Sequence, residues 1–313
     1  MLNPVHLRTL GVVLAVGSFA DAARHLGYTP SAVSEQISRL ERQLRLTLFE
    51  RDAHTIRPTV AAQHVAALAV PALGALRMLD DDLRMLAGGT IGRLRIASFP
   101  TASERLLPIA LSALRRQRPR VAVEVDEVEP QASMQLLASG EVDVALVYTY
   151  GTVMPRWART QPLVQILEED LLLISRPEGP GRHTETEPAV EDLGEFFEAT
   201  WIATCEDTLG AANVDRLCRG SGFEPDIRYR SNNYGVIEGL VASGLGVAMV
   251  PALALGDLGV SVRGIKDAEA TRRVWAVPAP TIPTELSEVF VAALRRAAAR
   301  QQTPFVRVSS PGE

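Results

Sequence analysis

The side chains able to do chemistry in this chain are mostly hydroxyls, amides and arginines. Paired acids and activated nucleophiles are not evident. One group stands at Thr29-Pro30-Ser31, with Ser34, Gln36 and Arg39 following, and with Arg51, His54 and Arg57 beyond a short gap. Hydroxyls and amides can donate to base edges or phosphates, and arginines neutralise phosphate or enter a narrow minor groove. A second group is scattered: Ser98, Thr101 and Ser103; Ser133; Tyr148; Thr204 and Cys205; Asn232 and Asn233. These are hydrogen-bonding residues in expected loops. Ser98, Thr101 and Ser103 precede a helix whose first amides favour a carboxylate or other anion. Ser103 equally suits an N-cap, and Asn232 and Asn233 equally suit cap and turn positions.

The sequence has no nucleophile elbow, P-loop or dinucleotide fingerprint. His6, His25, His54, His64 and His183 make no HExxH spacing and no cluster with cysteine. An enzyme, a cofactor and a bound metal are therefore not expected. Cys205 and Cys218 are too few for a disulfide framework and fit a reducing, cytoplasmic setting. Two ordinary free thiols are preferred over a redox pair.

The elements that must position these groups follow from pattern. At 313 residues there is room for two or three domains. The net charge is −5, yet residues 1–62 hold seven arginines against five acids, so the acidity lies downstream. Lys266 is the only lysine. No segment is long and apolar enough to span a membrane. The apolar stretch 10–20 has the look of a signal peptide, but cleavage near Ala20 or Ala22 would destroy the motif that follows. An amphipathic first helix burying Leu7, Leu10 and Leu14 is the better reading.

Ser18 with Asp21 forms a capping-box-like start, Ala22, Ala23 and Leu26 make a buried side, and Gly27-Tyr28 a turn. Thr29 then caps a helix with Pro30 at its first position. Within it Val33, Ile37, Leu40 and Leu44 recur as one buried stripe, while Ser31, Ser34, Glu35 and Ser38 form the other face. Residues 59–86 read as one long helix, tolerant of Pro71 and stopped at Gly88-Gly89, whose apolar side calls for a second copy. From residue 93 short strands alternate with helices. Strands are expected at 94–97, 121–125, 142–147, 171–175, 201–204, 227–229, 247–250 and 272–277. Helices are expected at 104–118, 130–139, 191–198, 210–219, 234–243 and 283–300. That alternation predicts a mostly parallel, doubly covered sheet. The last dozen residues read as a disordered tail.

In detail, Ala22-Ala23, Leu26, Thr29, Ser31-Ala32-Val33-Ser34, Gln36-Ile37, Leu40-Glu41 and Leu44, followed by Leu48-Phe49-Glu50-Arg51, share one register. This segment closely resembles the DNA-binding domain of LysR-type transcriptional regulators. Leu106-Leu107-Pro108, Gly140 with Asp143, and the run from Leu240 through Gly244 and Gly246 to Pro251 look like sensor-domain landmarks of that family. There are departures: Arg45 stands where glycine is usual, Thr55 where a wing glycine is common, and Thr59-Val60-Ala61-Ala62 replaces a T-E-A-G-like run.

The resemblance implies an α/β protein with an N-terminal all-α winged helix-turn-helix and a sensor of two periplasmic-binding-protein-like α/β subdomains. Its domains would be 1–60 for DNA, 61–89 for a dimerising linker helix, and 90–301 for the sensor. Subdomain I would take about 90–163 plus 269–301 and subdomain II about 164–268, with a tail at 302–313. The resemblance places Thr29, Pro30, Ser31 and Ser34 nearest the bases, Gln36 and Arg39 on the DNA backbone, and Arg51 and Arg57 in the wing. For Thr29, capping and DNA contact both fit; for His54 a solvated loop position is preferred. A small polar or anionic effector would sit between the subdomains against Ser98, Thr101, Ser103, Ser133, Tyr148, Thr204, Cys205, Asn232 and Asn233. The implied partners are double-stranded DNA bearing an interrupted inverted repeat and a second copy in a dimer or tetramer, with RNA polymerase a further candidate. A solute-binding protein for transport is the rival reading of the two-lobed half.

Overall fold

The computed structural model describes residues 2–51, 56–88, 92–152, 162–177, 186–190, 192–256, 259–280 and 282–308; for 51, 77–78, 81–82, 84–88 and 186–189 it describes the backbone alone. His54, Thr55 and Gly89 lie outside the described residues, as does the side chain of Arg51.

The chain begins with three short helices, α1 (Pro4–Val16), α2 (Phe19–Leu26) and α3 (Pro30–Leu44). Each start is capped by a side-chain oxygen. Asn3 accepts from the Val5 amide, Ser18 from Asp21 and Thr29 from Ala32. A hairpin of β1 (Phe49–Arg51) and β2 (Ile56–Pro58) follows, pairing Phe49 with Pro58 and Arg51 with Ile56. Glu41 sends its carboxylate back to the amides of Leu48 and Phe49, at 2.8 and 3.2 Å, and so ties α3 to the hairpin. Leu7, Leu10, Val13, Ala23, Val33, Ile37, Leu40 and Phe49 form one core, with Leu14, Leu26 and Leu44 partly buried around it.

The turn after Leu44 keeps a left-handed conformation even though an arginine occupies it. Arg45 has φ 58° and is the one non-glycine with positive φ among the described residues. Its amide closes on the Glu41 carbonyl.

Helix α4 (Val60–Gly88) runs for 29 residues through Pro71. Thr59 caps it, accepting from the Ala62 amide while its hydroxyl donates to the Thr47 carbonyl at 2.8 Å. Ala62 and Ala69 are buried, with Val65, Ala66 and Leu73 packed beside them in the same N-terminal core. Leu68, Leu76, Leu79 and Leu83 of the same helix are exposed. No helix among the described residues is long and apolar enough to cross a membrane.

The rest is α/β. In order come β3 (Arg93–Ser98), α5 (Pro100–Arg105), α6 (Leu107–Gln117), β4 (Ala122–Glu127), α7 (Pro130–Ala138), β5 (Val144–Tyr150), β6 (Val164–Ser175), β7 (Thr186–Val190), β8 (Thr200–Ala203), α8 (Leu209–Gly220), β9 (Asp226–Arg230), α9 (Tyr234–Ala242), β10 (Val247–Pro251), β11 (Ser261–Ile265), β12 (Thr271–Pro278), α10 (Thr284–Ala299) and β13 (Val306–Val308). The main strand order is β4-β3-β5-β12-β6-β10-β8-β9. Strands β3, β4 and β5 are mutually parallel, as are β8, β9 and β10. These are the two expected sets.

Two antiparallel strands, β12 and β6, join the sets. Strand β6 pairs with β12 over Val164–Asp170, then with β10 from Leu171 onward. One continuous strand, β6, thus runs from the first set into the second. Beyond that point the strand's period of two divides its side chains. Leu171 and Leu173 enter the core under Trp201 and Val214, while Leu172 and Ile174 enter the core under Ile237 and Val241. At Gly246 a Cβ would lie 2.3 Å from the Thr200 carbonyl oxygen, so β10 can pass beside β8 only without a side chain there.

Two expectations fail for physical reasons. The helix expected over 104–118 is the end of α5 followed by α6, interrupted at Leu106 where Pro108 has no N–H to continue the helical ladder. The expected disordered tail contains β13, which pairs with β6 and is held there by Arg307 on Asp170 and Glu168.

The left-handed Arg45 generates a prediction. Replacing Arg45 with Gly should raise stability by about 0.5–1 kcal/mol, because a side chain in this conformation is strained. Urea unfolding followed on the N-terminal domain checks it; a lower midpoint would mean that the arginine makes a compensating contact.

Candidate effector cleft and DNA-facing helix

The cleft between the two sensor halves is built around one buried cation. Arg272, at the start of β12, and Glu169, on β6, are 1% and 0% exposed in their side chains and 2.7 Å apart. Arg272 Nε donates to Glu169 Oε1 at 2.8 Å and its Nη2 donates to Thr101 Oγ1 at 2.8 Å. The remaining oxygen of Glu169 accepts the Leu253 amide at 2.6 Å. Phe99 and Tyr148 present their rings to the guanidinium at 5.3 and 5.0 Å. Burial works most strongly against the charge on Arg272, but Glu169 and the surrounding Tyr150, Tyr234 and Tyr148 together outweigh it and raise the pKa of the guanidinium.

Beside this pair lies a narrow gap. Phe99, Pro100 and Thr101 wall it from the end of β3, Glu129 and Tyr148 from the ends of β4 and β5, and Thr204, Thr208, Asn232 and Tyr234 from the other half. This is the crevice outside the carboxyl ends of strands, where ligands of open α/β sheets bind. Tyr148 donates to Glu129 Oε2 at 2.7 Å, and burial raises its pKa strongly. Burial likewise raises Tyr234, so both rings keep their hydroxyl protons.

Of the residues singled out from sequence, Thr101, Tyr148, Thr204 and Asn232 line this space. The others do not. Ser98 and Ser133 are fully buried with their hydroxyls toward the Phe99 and Val128 carbonyls. Ser103 Oγ is enclosed and finds no partner among the described residues. Cys205 offers its amide to Asn232 Oδ1 at 2.9 Å, and Asn233 caps α9 through the Val236 amide. Glu129, Thr208, Tyr234 and Arg272 were missed. Glu129 and Thr208 stand at helix starts, a signal that could have found them. Arg272 looks like any strand arginine until β6 supplies Glu169.

In the N-terminal half, Thr29, Pro30 and Ser31 are exposed at the start of α3, with Thr29 Oγ1 and Ser31 Oγ 3.0 Å apart. Ser34 is half-buried one turn on. Thr29 also caps the helix. Gln36 is half-buried, and its Oε1 accepts from Thr9 Oγ1 at 2.5 Å, so its carbonyl is engaged inside the domain. Arg39 is exposed and paired with Glu35 at 2.6 Å, and Arg57 is exposed in the hairpin. Cys218 is on the buried face of α8, where burial pushes its thiol up to about 12.

Comparison with known proteins places both halves. Residues 4–63 match the bacterial regulatory helix-turn-helix protein, lysR family, and residues 87–299 match the LysR substrate binding domain. The probable HTH-type transcriptional regulator LrrA of Synechococcus elongatus is 30% identical over 81% of this chain and 82% of its own. AlsR of Bacillus subtilis is 25% identical over 83% and 85%. In fold, a full-length OxyR variant from Pseudomonas aeruginosa aligns at TM-score 0.62, with 19% identity over 99% of both chains. CbnR in complex with its target DNA aligns at 0.52, with 22% identity over 95% of this chain and all of its own. The chain belongs to the LysR family of transcriptional regulators.

Two outcomes follow from the cleft geometry. Thr101→Val should cost about 1–3 kcal/mol of stability, since it leaves a buried guanidinium N–H without its acceptor; unchanged urea unfolding would show that Arg272 does not depend on Thr101. Iodoacetamide at pH 8 should label Cys205 and leave Cys218 unmodified in the folded protein. Mass spectrometry of the peptides reads this directly, and labelling of Cys218 would place it outside the core.

Proposed function

We propose that this protein is a sequence-specific DNA-binding regulator, not an enzyme, controlled by a small polar effector that binds between its two sensor subdomains. The observation that carries the reading is the cleft itself. Its walls come from both strand sets, and its floor is an ion pair between the two strands that connect them. A ligand bridging Tyr148 and Glu129 on one side and Thr204 and Asn232 on the other has different contacts when the halves move. Such differential contact is what lets an effector shift an equilibrium.

The DNA-reading side rests on α3. The exposed hydroxyls of Thr29 and Ser31, with Ser34 on the same helix, suit base and phosphate contacts in the major groove, and Arg39, Arg51 and Arg57 suit the backbone and minor groove. CbnR, a fold neighbour described with its target DNA, supports this orientation of the reading. The exposed leucines Leu68, Leu76, Leu79 and Leu83 on α4 suit a second copy of the same helix. A two-fold assembly, dimer or tetramer, then reads an interrupted inverted repeat in the cytoplasm, and effector binding changes DNA bending and the recruitment of RNA polymerase. A transport role is less well supported, because it leaves the helix-turn-helix unused.

Footprinting on the chain's own upstream intergenic region at two salt concentrations tests the reading. We expect a protected interrupted dyad that persists at the higher salt; diffuse binding that vanishes with salt would indicate phosphate attraction alone. Ser34→Arg should lose operator protection while keeping the fold by circular dichroism. Unchanged protection would remove Ser34 from the DNA-facing set.

A further inference from the structure

Helix α10 is followed by a tight turn. Thr303 and Val306 exchange backbone hydrogen bonds of 3.2 and 3.1 Å across it. Pro304 occupies its second position, where the ring pre-sets the φ that the turn needs. The Phe305 amide donates to Thr303 Oγ1 at 3.2 Å. The turn delivers β13 to an edge of β6, where Val306, Arg307 and Val308 face Glu169, Glu168 and Leu167. On its other edge the same stretch of β6 carries β12, while pairing with β10 starts only at Leu171. So β13 takes the part of β6 that β10 leaves uncovered, at the place where that strand crosses from one half of the sensor to the other. This strand lies beyond residues 87–299, the segment that matches the LysR substrate binding domain.

The side chains of this segment divide between the two halves. Phe305 packs against the core that holds Ile237 and Val241, in the second half. Val306 is buried in the core that holds Leu167, Phe290 and Leu294, in the first half, and Val308 packs beside it. Neighbouring Cα atoms are about 3.8 Å apart, so little slack lies between the two attachments. Between them the Phe305 carbonyl accepts the Asp170 amide at 2.9 Å. Arg307 points outward and forks onto Asp170 at 2.6 and 3.1 Å, with Glu168 at 3.2 Å. A strand that only covered a bare edge would need its backbone pairing and an outward charge to ward off further strands. It would not need an aromatic ring in the second core.

We propose that residues 303–308 form a strap that restrains the movement of the two sensor halves about β6 and β12. Rotation about those strands changes the distance between the two cores beside the crossing. The strap spans that distance with a single peptide unit. Moving the halves apart therefore pulls Phe305 from one core or Val306 from the other, and either loss exposes buried apolar surface. Phe305 is only half-buried and Arg307 is exposed, so the strap is held less firmly than the two strands it braces and can release while they stay paired. The proposal concerns the halves alone and stands whether or not the cleft takes an effector.

Hydrogen exchange of the protein without DNA, followed by mass spectrometry, tests this. Strand β12 lies across β6 from β13 and pairs with β5 and β6, so it keeps its own partners when the strap is lost. Two variants are compared with the full chain: one ending at Gln302, and Phe305→Ala. In both, exchange over residues 271–278 should quicken about fivefold or more, while β3 and β8, each inside one half, keep the wild-type rate. The point substitution decides if the shortened chain does not fold. Unchanged exchange in β12 would overturn the proposal, since β13 would then cover an edge and restrain nothing. A rise of equal size in β3 and β8 would overturn it as well, because that marks a general loss of stability.

Discussion

The buried pair of Arg272 and Glu169 is the interaction on which the sensor's geometry depends. Each residue lies on one of the two strands shared by the subdomains, and each reaches beyond its partner: Arg272 to Thr101 at the end of β3, Glu169 to the Leu253 amide just past β10. Two charges withdrawn from water this completely are tolerable only when nearly every lone pair and proton is matched. The matching groups come from both subdomains. The pair therefore specifies how the two halves approach one another, and the space beside it becomes a cleft with a defined shape.

That arrangement bears on what the cleft can recognise. The one cation in its wall among the described residues is already committed to Glu169, Thr101 and two aromatic faces. What remains for a ligand is hydroxyls, an amide, tyrosine rings and the Glu129 carboxylate. The starts of α7 and α8 still offer partial positive charge at the opening, which keeps an anionic group there compatible with the site.

Much of this was legible in the sequence, and the exceptions follow a physical rule. Local signals read well: Ser18, Thr29 and Pro30 mark helix starts, the Val33-Ile37-Leu40 stripe marks a core face, and alternating strands and helices give the two sets. The family register carried the helix-turn-helix. What could not be read were pairings between distant residues. Nothing local tells that residue 272 meets residue 169, or that β6 continues through both halves and gains β13 at its side. The hydroxyls of Ser98 and Ser133 illustrate the same limit. Ser98 ends β3 and Ser133 lies within α7, where a one-residue step along the chain turns a side chain from the cleft into the core, and composition does not record that step. Arg45 shows the converse: the left-handed turn survives the loss of the usual glycine because Glu41 and the capped hairpin fix the chain on either side.

The central claim, that the ion pair joins the two shared strands, is tested most directly by a double-mutant cycle on Arg272→Met and Glu169→Leu, with stability read by urea unfolding of the sensor. Each single change strands a buried charge and should cost about 3–5 kcal/mol, while the double change removes both charges and should cost less than the sum by about 2 kcal/mol or more. Strictly additive losses would contradict the account, because they would mean that the two side chains stabilise the fold independently of one another.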